Sequence, residues 1–298
     1  MDSTLRSSRS IFTAGGLLAL VTWSSTLAIS TSVMAALGPL TGASLTMAVG
    51  GVASLAVAMA QGQRPWDMFR HDRRYLLGCG GMFVAYMVVF YAGVGFAPDN
   101  ATKLMVGLLN HLWPALLVAL SVPILHQAAR QKLLLVGCGL AVAGTALAKL
   151  TTGTVAFAVW PLTAGLCAGL LWAVYSNCVR LWGPKEGGGS VPLFLLISSA
   201  IMGVLRLFAH ETPHWSTRTG VELFFLAVIT IGLCYVLWEA GMRRGNNRLL
   251  GLASYFVPVA STALATWYWH EPFRTGLFAG AGLVVVGAIV SSKALRTT

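Results

Sequence analysis

The sequence predicts an all-α integral membrane protein with ten transmembrane helices, arranged as two inverted-topology repeats of five. Three observations predict this fold: the composition, the placement of Lys and Arg, and an internal repeat. The 298-residue chain is 56% hydrophobic and only 10% charged, whereas a soluble domain carries about 25% charged residues. These charged side chains are too few to cover a water-facing surface, so most of the surface must face lipid.

Ten apolar segments have a length near the roughly 20 helical residues that cross the hydrocarbon core of a bilayer. The first segment follows a basic leader, but it is long, lacks a clear cleavage site and takes part in the internal repeat. We therefore expect it to be a membrane helix and not a signal peptide. The predicted segments are 10–30, 38–60, 75–96, 100–122, 132–150, 157–181, 190–210, 220–241, 247–269 and 274–292.

Lys and Arg concentrate on one side of these segments. The N-terminus, the loops that follow even-numbered segments and the C-terminus carry 15 of the 20 basic residues. The other side carries only Lys103, Lys149, Arg206, Arg218 and Arg274. Because cytoplasmic loops are rich in Lys and Arg, we expect a multi-pass protein of the inner (plasma) membrane with both termini in the cytoplasm.

Two other classes of partner are not expected. The net charge of +11 is spread over short basic clusters between apolar segments and not along one stripe, so we expect a lipid bilayer and no nucleic acid. The five cysteines lie inside apolar segments and form no C-x-x-C pair. We therefore expect no disulfide framework, no metal site and no cofactor.

The internal repeat consists of two matches in the same order. Residues 16–23 resemble 165–172, and residues 137–144 resemble 280–287, at offsets of 149 and 143. The chain is therefore predicted to contain two repeats, 10–150 and 157–292. Because each repeat has five spans, the second must enter the membrane from the opposite side. Such inverted pairs are typical of secondary transporters, which bind substrate near the midplane between the repeats.

Several short motifs resemble those of a known family. They are the repeated Gly…Trp pattern, Val106–Pro114, Trp172–Tyr175, Ser254–Pro258 and Glu271–Pro272. Over nearly its whole length the chain is similar to the drug/metabolite transporter superfamily of the EamA type, and within it to the YddG aromatic amino acid exporters. The resemblance implies a 5 + 5 helix fold and amino acid export. The position that matches Glu271 in the first half is Gln127, which makes a proton role for this position less expected.

Polar and aromatic side chains near the predicted midplane are the candidates for a substrate cavity. Asn supplies both a donor and an acceptor, and deep Trp and Tyr rings can stack on an amino acid side chain. The alternatives are interhelical hydrogen bonds for the polar residues and core packing for the aromatic ones. The predicted cavity residues are Trp23, Tyr86, Asn110, His111, Trp113, Trp172, Tyr175, Tyr235, Ser254 and Tyr255.

Pro114 and Pro258 lie at matching places in the fourth and ninth segments. A proline inside a helix frees a backbone carbonyl and kinks the helix. We expect this pair to line or gate the substrate path, with a packing kink as the alternative.

The acidic residues are expected to be structural. Glu239 lies about one turn from the end of its segment, and Arg243 follows at a favourable helical spacing. Glu222 complements a helix dipole, Asp99 caps the fourth helix, and Glu271 is expected to be a cap as well. With no acid placed at the midplane, the sequence argues against a strongly proton-coupled pump.

The glycines that repeat in the fifth and tenth segments indicate close helix packing, because small residues let membrane helices approach one another. They predict an outer helix pair that holds each half together, or a dimer seam. The sequence leaves the choice between monomer and homodimer open.

The predicted function is a secondary transporter that exports aromatic and other apolar amino acids by alternating access, with helices one to five rocking against helices six to ten. An alternative is the same fold exporting other small metabolites or drugs. A remote alternative is an intramembrane enzyme, but the chain has no H-E-x-x-H motif, no paired aspartates at depth and no G-x-S-x-G. We therefore predict that it is not an enzyme.

Overall fold

The computed structural model describes residues 2–151 and 158–294, and all regular secondary structure within these ranges is helical. Phe157, where the second predicted repeat begins, and the basic residue Arg296 lie outside the described residues. The helices are α1 (Asp2–Trp23), α2 (Thr26–Leu37), α3 (Pro39–Ala60), α4 (Arg74–Gly95), α5 (Asn100–Asn110), α6 (Trp113–Leu125), α7 (Gln131–Thr151), α8 (Val159–Trp182), α9 (Val191–Arg206), α10 (Thr217–Arg244), α11 (Asn247–Ser254), α12 (Val257–Tyr268) and α13 (Thr275–Ala294).

Eight helical stretches of the described chain are long and apolar enough to cross a bilayer. They are α3, α4, α5 with α6, α7, α8, α10, α11 with α12, and α13. The pair α1–α2 makes a ninth if it is counted as one span bent by 51°. The apolar helix α9 is shorter, at 16 residues. The chain is thus all-helical with at least eight candidate spans, and the count of ten stays a prediction.

The bend between α1 and α2 is a feature that we did not predict. Ser24 and Ser25 form the break, and their hydroxyls donate to the carbonyls of Leu20 at 3.3 Å and Thr22 at 2.7 Å. Hydroxyl groups that bond back to the preceding turn compete with the helical ladder and bend it. The break places Trp23 at the end of α1, where its indole N–H donates to the Thr230 carbonyl at 3.0 Å.

The two kinks expected at prolines are present as helix breaks. α5 ends before His111, and Pro114 lies in the first turn of α6; α11 ends before Tyr255, and Pro258 lies in the first turn of α12. Proline lacks the N–H that would bond to the carbonyl four residues earlier. The breaks are therefore the local consequence of the prolines, while their gating role stays a prediction.

Helices from the two predicted repeats are interleaved. α8 packs mainly against α4, α5 and α6, whereas α1 packs mainly against α10 and α11. The first helix of each predicted repeat thus joins helices of the other one. We name the two groups group A (α4, α5, α6 and α8) and group B (α1, α10 and α11). The pairs α3–α9 and α7–α13 join the two predicted repeats at the sides.

The predicted glycine ladders bring α7 and α13 into close contact. A β-carbon on Gly144 would lie 2.5 Å from the Gly280 carbonyl oxygen, and one on Gly137 would lie 2.5 Å from the Gly287 carbonyl oxygen. Both distances are far below van der Waals contact, so no larger residue fits without moving the helices apart. The outer pair therefore joins the two predicted halves to each other, and does not hold each half together.

Replacing Gly144 by Ala is expected to lower the free energy of unfolding by about 1–3 kcal/mol, because the added methyl overpacks the α7–α13 contact. Gly139 is the matched control on the same helix, since a β-carbon there meets nothing within 4 Å. Gly139→Ala should be neutral or slightly stabilising, because Ala favours a helix more than Gly does. Thermal unfolding in detergent measures both, and equal midpoints would contradict the close contact.

Candidate functional site

The centre of the bundle holds a cluster of aromatic rings contributed by both groups of helices. Trp23 and Trp172 meet edge to face with centroids 5.5 Å apart, and the hydroxyls of Tyr235 and Tyr86 lie 3.3 Å apart. Each pair occupies equivalent positions of the sequence repeat, at an offset of 149 residues. Residues that correspond in the repeat therefore become neighbours in space.

A small cavity of about 40 Å³ lies beside this cluster. That volume holds one or a few water molecules but no amino acid, so the structure shows a closed site. Seven of the predicted cavity residues line it, namely Trp23, Tyr86, Asn110, His111, Trp113, Trp172 and Tyr235. The remaining lining residues are Thr26, Leu27, Phe90, Gly107, Val257 and Ser261.

Four polar groups around this cavity have no hydrogen-bond partner among the residues that the structure describes. They are Thr26 Oγ1, Asn110 Oδ1, His111 Nδ1 and Ser261 Oγ, and all four atoms are buried. Leaving a buried polar group unpaired costs about 1–3 kcal/mol, and most buried polar groups in proteins are paired. Such a concentration around one cavity indicates a site built for a polar ligand.

The helix breaks explain why these groups meet there. Asn110 and His111 lie at the end of α5, and Thr26 begins α2 directly after the bend of the first span. Gly169 of α8 lets this region approach, because a β-carbon on it would lie 2.7 Å from the Asn110 carbonyl oxygen. Side chains at a broken helix point to a shared interior instead of along one helix face.

The arrangement suits a small zwitterion with an apolar side chain. The amide oxygen of Asn110 accepts hydrogen bonds from an ammonium group, and the hydroxyls of Thr26 and Ser261 donate to a carboxylate. The faces and edges of Trp23 and Trp172 supply contact area for a hydrophobic or aromatic side chain. Among the described residues, no three His, Cys, Asp or Glu side chains gather in a group that could hold a metal.

Three predicted cavity residues lie outside the lining of this cavity. The Tyr175 hydroxyl donates to Glu239 at 2.8 Å, Ser254 bonds back to the Gly251 carbonyl at 2.7 Å, and the buried Tyr255 side chain has a polar neighbour in Ser292 of α13. Depth in the membrane was predicted from the sequence, but the direction around the helix is decided by these partners. The prolines Pro114 and Pro258 also lie outside the cavity lining.

Several cavity-lining residues that the sequence analysis did not predict could have been predicted from helical spacing. Thr26 lies three residues after Trp23, Phe90 lies four after Tyr86, and Gly107 lies three before Asn110. Residues three or four apart share a helix face. For Ser261 we find no comparable signal, since none of the predicted cavity residues lies three or four positions from it.

The acidic residues differ in part from expectation. Asp99 caps α5 as predicted, accepting a hydrogen bond from the Thr102 N–H at 2.6 Å. Glu271 is not a cap, because α13 begins at Thr275 and the carboxylate instead accepts from the Asn100 side chain at 2.8 Å.

Glu222 pairs with Arg218 at 2.6 Å within the first turns of α10. The predicted pair of Glu239 with Arg243 is also present, at 3.4 Å. Glu239 has further partners in other helices, however, and it is almost completely buried.

Ionic and polar contacts join helices and loops at the end of the bundle that carries few basic residues. Glu211 accepts hydrogen bonds from the Leu40 and Thr41 N–H groups, each at 2.9 Å, and Arg206 Nε lies 3.2 Å from its carboxylate. Burial raises the pKa of Glu211, but these hydrogen bonds and the Arg206 charge outweigh it and leave the pKa below its ordinary value. The Glu211 carboxylate thus ties the start of α3 to the loop after α9.

The opposite end, which we call the basic end, carries the loops with Arg64, Arg70, Arg73, Lys185 and Arg244. There Gln63 donates to the Gly189 carbonyl at 3.3 Å, and Arg243 donates to the Pro184 carbonyl at 2.7 Å. Burial lowers the pKa of the nearby His71. Hydrogen bonds therefore link loops to helices at both ends of the bundle.

Comparison with known proteins shows which family this chain resembles over nearly its whole length. The profile of the EamA-like transporter family matches residues 10–150 and again residues 156–293. A relative from Ancylobacter novellus is 30% identical over 97% of this chain and 99% of its own length. Relatives from Salmonella typhimurium and Escherichia coli are each 25% identical over 94% of this chain and 96% of their own. All three are named aromatic amino acid exporter YddG.

A crystal structure with 26% sequence identity superposes with a TM-score of 0.74 and covers 95% of this chain and 98% of its own.

Proposed function

This chain belongs to the EamA-like transporter family, within the drug/metabolite transporter superfamily, and from that membership we propose that it exports amino acids across the inner membrane. Aromatic and other apolar amino acids are the proposed substrates, as the names of its relatives suggest. The observation that carries the proposal is the central cavity, where four unpaired polar groups lie beside Trp and Tyr rings. This set matches the two ends of an amino acid: a charged backbone and an apolar side chain.

The proposed arrangement in the membrane follows the charges. We place the basic end in the cytoplasm, because Lys and Arg prefer cytoplasmic loops. The bent pair α1–α2 and the shorter α9 each count as a span in this arrangement, which gives ten spans in two repeats of five. An odd number of spans per repeat makes the repeats inverted and puts the cavity between them.

The proposed mechanism is alternating access. Rocking of the first five predicted segments against the last five stays a prediction. The packing favours moving units that each contain helices of both predicted repeats. Group A and group B each combine helices of both repeats, and the aromatic cluster lies where they meet. Because packed groups move as units, opening one end would widen the closed cavity to the size of a substrate.

Transport by reconstituted protein tests the function. We expect vesicles that contain the purified protein to take up labelled phenylalanine, methionine and threonine with saturation, while protein-free vesicles do not. The same series with and without a pH gradient shows whether protons are coupled. If none of the three amino acids moves, the amino acid assignment fails, and drugs or other small metabolites become the substrates to test.

A further inference from the structure

A buried carboxylate lies between the cavity and the basic end of the bundle. Glu239 is 1% exposed, and its oxygens accept hydrogen bonds from the Tyr75 hydroxyl at 2.9 and 3.0 Å and from the Tyr175 hydroxyl at 2.8 Å. Arg243 Nε lies 3.4 Å away on the same helix. A buried carboxylate needs several such partners, because an unpaired buried charge is strongly destabilising.

The two tyrosines reach Glu239 from the opposite group of helices. Tyr75 lies in α4 and Tyr175 in α8, both in group A, whereas Glu239 lies in α10 of group B. The Tyr75 hydroxyl also accepts from the Ser190 N–H at 2.7 Å, which ties the loop before α9 to the same point. Separation of the two groups at the basic end would therefore remove both hydroxyls from Glu239 and leave only Arg243.

Glu239 also borders a second, larger cavity, which we call the basic vestibule. It has a volume of about 470 Å³ and is lined by Glu239, His71, Arg243 and Arg244, among others. This volume lies in the range of small-molecule sites. On the other side, the neighbouring Trp238 contacts Trp23 and Trp113 of the central site, each with centroids 5.5 Å apart. Glu239 thus lies at the boundary between the vestibule and the central site.

The repeat does not require an acid at this position. The residue that corresponds to Glu239 at the repeat offset of 149 is Phe90, and the one that corresponds to Tyr175 is Thr26. Phe90 and Thr26 line the central cavity and form no ionic contact. The fold therefore accommodates the apolar Phe90 at one position and the carboxylate of Glu239 at the equivalent one. Of these two positions, only the one near the basic end carries a charge.

We propose that Glu239 is a loading site for the ammonium group of the substrate, in which the incoming amino acid replaces the hydroxyls of Tyr75 and Tyr175. This inference rests on the proposed function. Once the tyrosines withdraw, the carboxylate faces the vestibule, and an ammonium group supplies three donors to it. Arg244 lines the same vestibule and provides positive charge near the substrate carboxylate. The ammonium group of the substrate and the two tyrosine hydroxyls thus compete for the carboxylate of Glu239.

Two substitutions with opposite expected effects test the competition. Glu239→Gln keeps the shape and removes the charge, so the half-saturation concentration for phenylalanine at the basic face should rise about tenfold or more. Tyr75→Phe removes the competing hydroxyl and should lower the same concentration. Tyr91→Phe is the matched control, because the buried Tyr91 hydroxyl has no partner in the described structure. Inverted membrane vesicles, which expose the cytoplasmic face, provide the measurement.

A purely structural role for Glu239 makes a different prediction. Both substitutions would then only loosen the closed end and would shift the half-saturation concentration in the same direction, which would overturn the proposal. If wild-type vesicles transport no amino acid at all, the proposed function itself fails. Should Glu239→Gln not fold, phenethylamine serves as an ammonium probe: it should inhibit phenylalanine uptake at the basic face, and more strongly in Tyr75→Phe. Equal inhibition of wild type and variant would overturn the proposal.

Discussion

Replacing Asn110 by Leu is expected to lower phenylalanine transport by about ten- to a hundredfold, because a hydrogen bond to a charged group contributes about 1.5–3 kcal/mol. Leu has the same number and branching of side-chain heavy atoms as Asn, so the variant removes the amide and puts two methyl groups in its place. The free energy of unfolding should change by less than about 1 kcal/mol, since the variant removes a buried oxygen that has no partner in the described structure as well as a polar contact with Tyr86. Uptake into vesicles and thermal unfolding measure the two effects separately.

Asn177 is the matched control for this prediction. It is buried in α8 outside the cavity, and its amide donates to the carbonyls of Leu117 at 3.0 Å and Ala173 at 3.1 Å. Asn177→Leu should lose about 1–3 kcal/mol of stability while the folded protein keeps its half-saturation concentration. If Asn110→Leu transports normally, or if both variants lose transport equally, the cavity is not the substrate site.

Replacing Trp172 by Ala is expected to have the largest combined effect on stability and transport. Its ring contacts Trp23, Tyr86, Trp113 and Tyr235 at centroid distances between 4.9 and 6.5 Å. Removing such a buried ring costs about 3–5 kcal/mol and deletes one wall of the cavity. Unfolding midpoints and phenylalanine uptake should both fall, and uptake should stay low at temperatures where the variant is folded.

Trp160 is the matched control on the same helix, because its side chain is 56% exposed. Trp160→Ala should keep wild-type transport, and its unfolding midpoint should fall far less than that of Trp172→Ala. Normal phenylalanine uptake by folded Trp172→Ala would mean that the aromatic cluster serves packing alone.

Much of the fold could be predicted from the sequence because lipid imposes simple local rules. The predicted apolar segments overlap described helices, at least eight of which are candidate spans, and Pro114 and Pro258 lie next to helix breaks. The bend at Ser24–Ser25 was missed, since it arises from hydroxyl groups that bond back to the helix and neither proline nor glycine marks it. The glycine ladders predicted close packing, but not that α7 would meet α13 across the predicted halves.

The candidate site could be predicted only for residues that lie at the expected depth in the membrane and whose side chains also point toward the cavity. Trp23, Trp172, Tyr86 and Tyr235 are predicted cavity residues at paired positions of the repeat, and in the structure they lie together at the centre. Tyr175 lies one helical turn from Trp172, yet its hydroxyl turns toward Glu239. The sequence contains no sign of that contact, because the two residues lie in different helices and come together only through packing.

The sequence by itself determined that this chain is a bundle of membrane helices of the EamA type, and it predicts an internal repeat with basic loops on one side. These properties depend on local composition and spacing, which the bilayer selects directly. Only the tertiary structure decided that the repeats interleave, that four unpaired polar groups meet in one cavity, and that Glu239 joins tyrosines of two other helices. Those features depend on the rotation and pairing of helices, which long-range contacts settle.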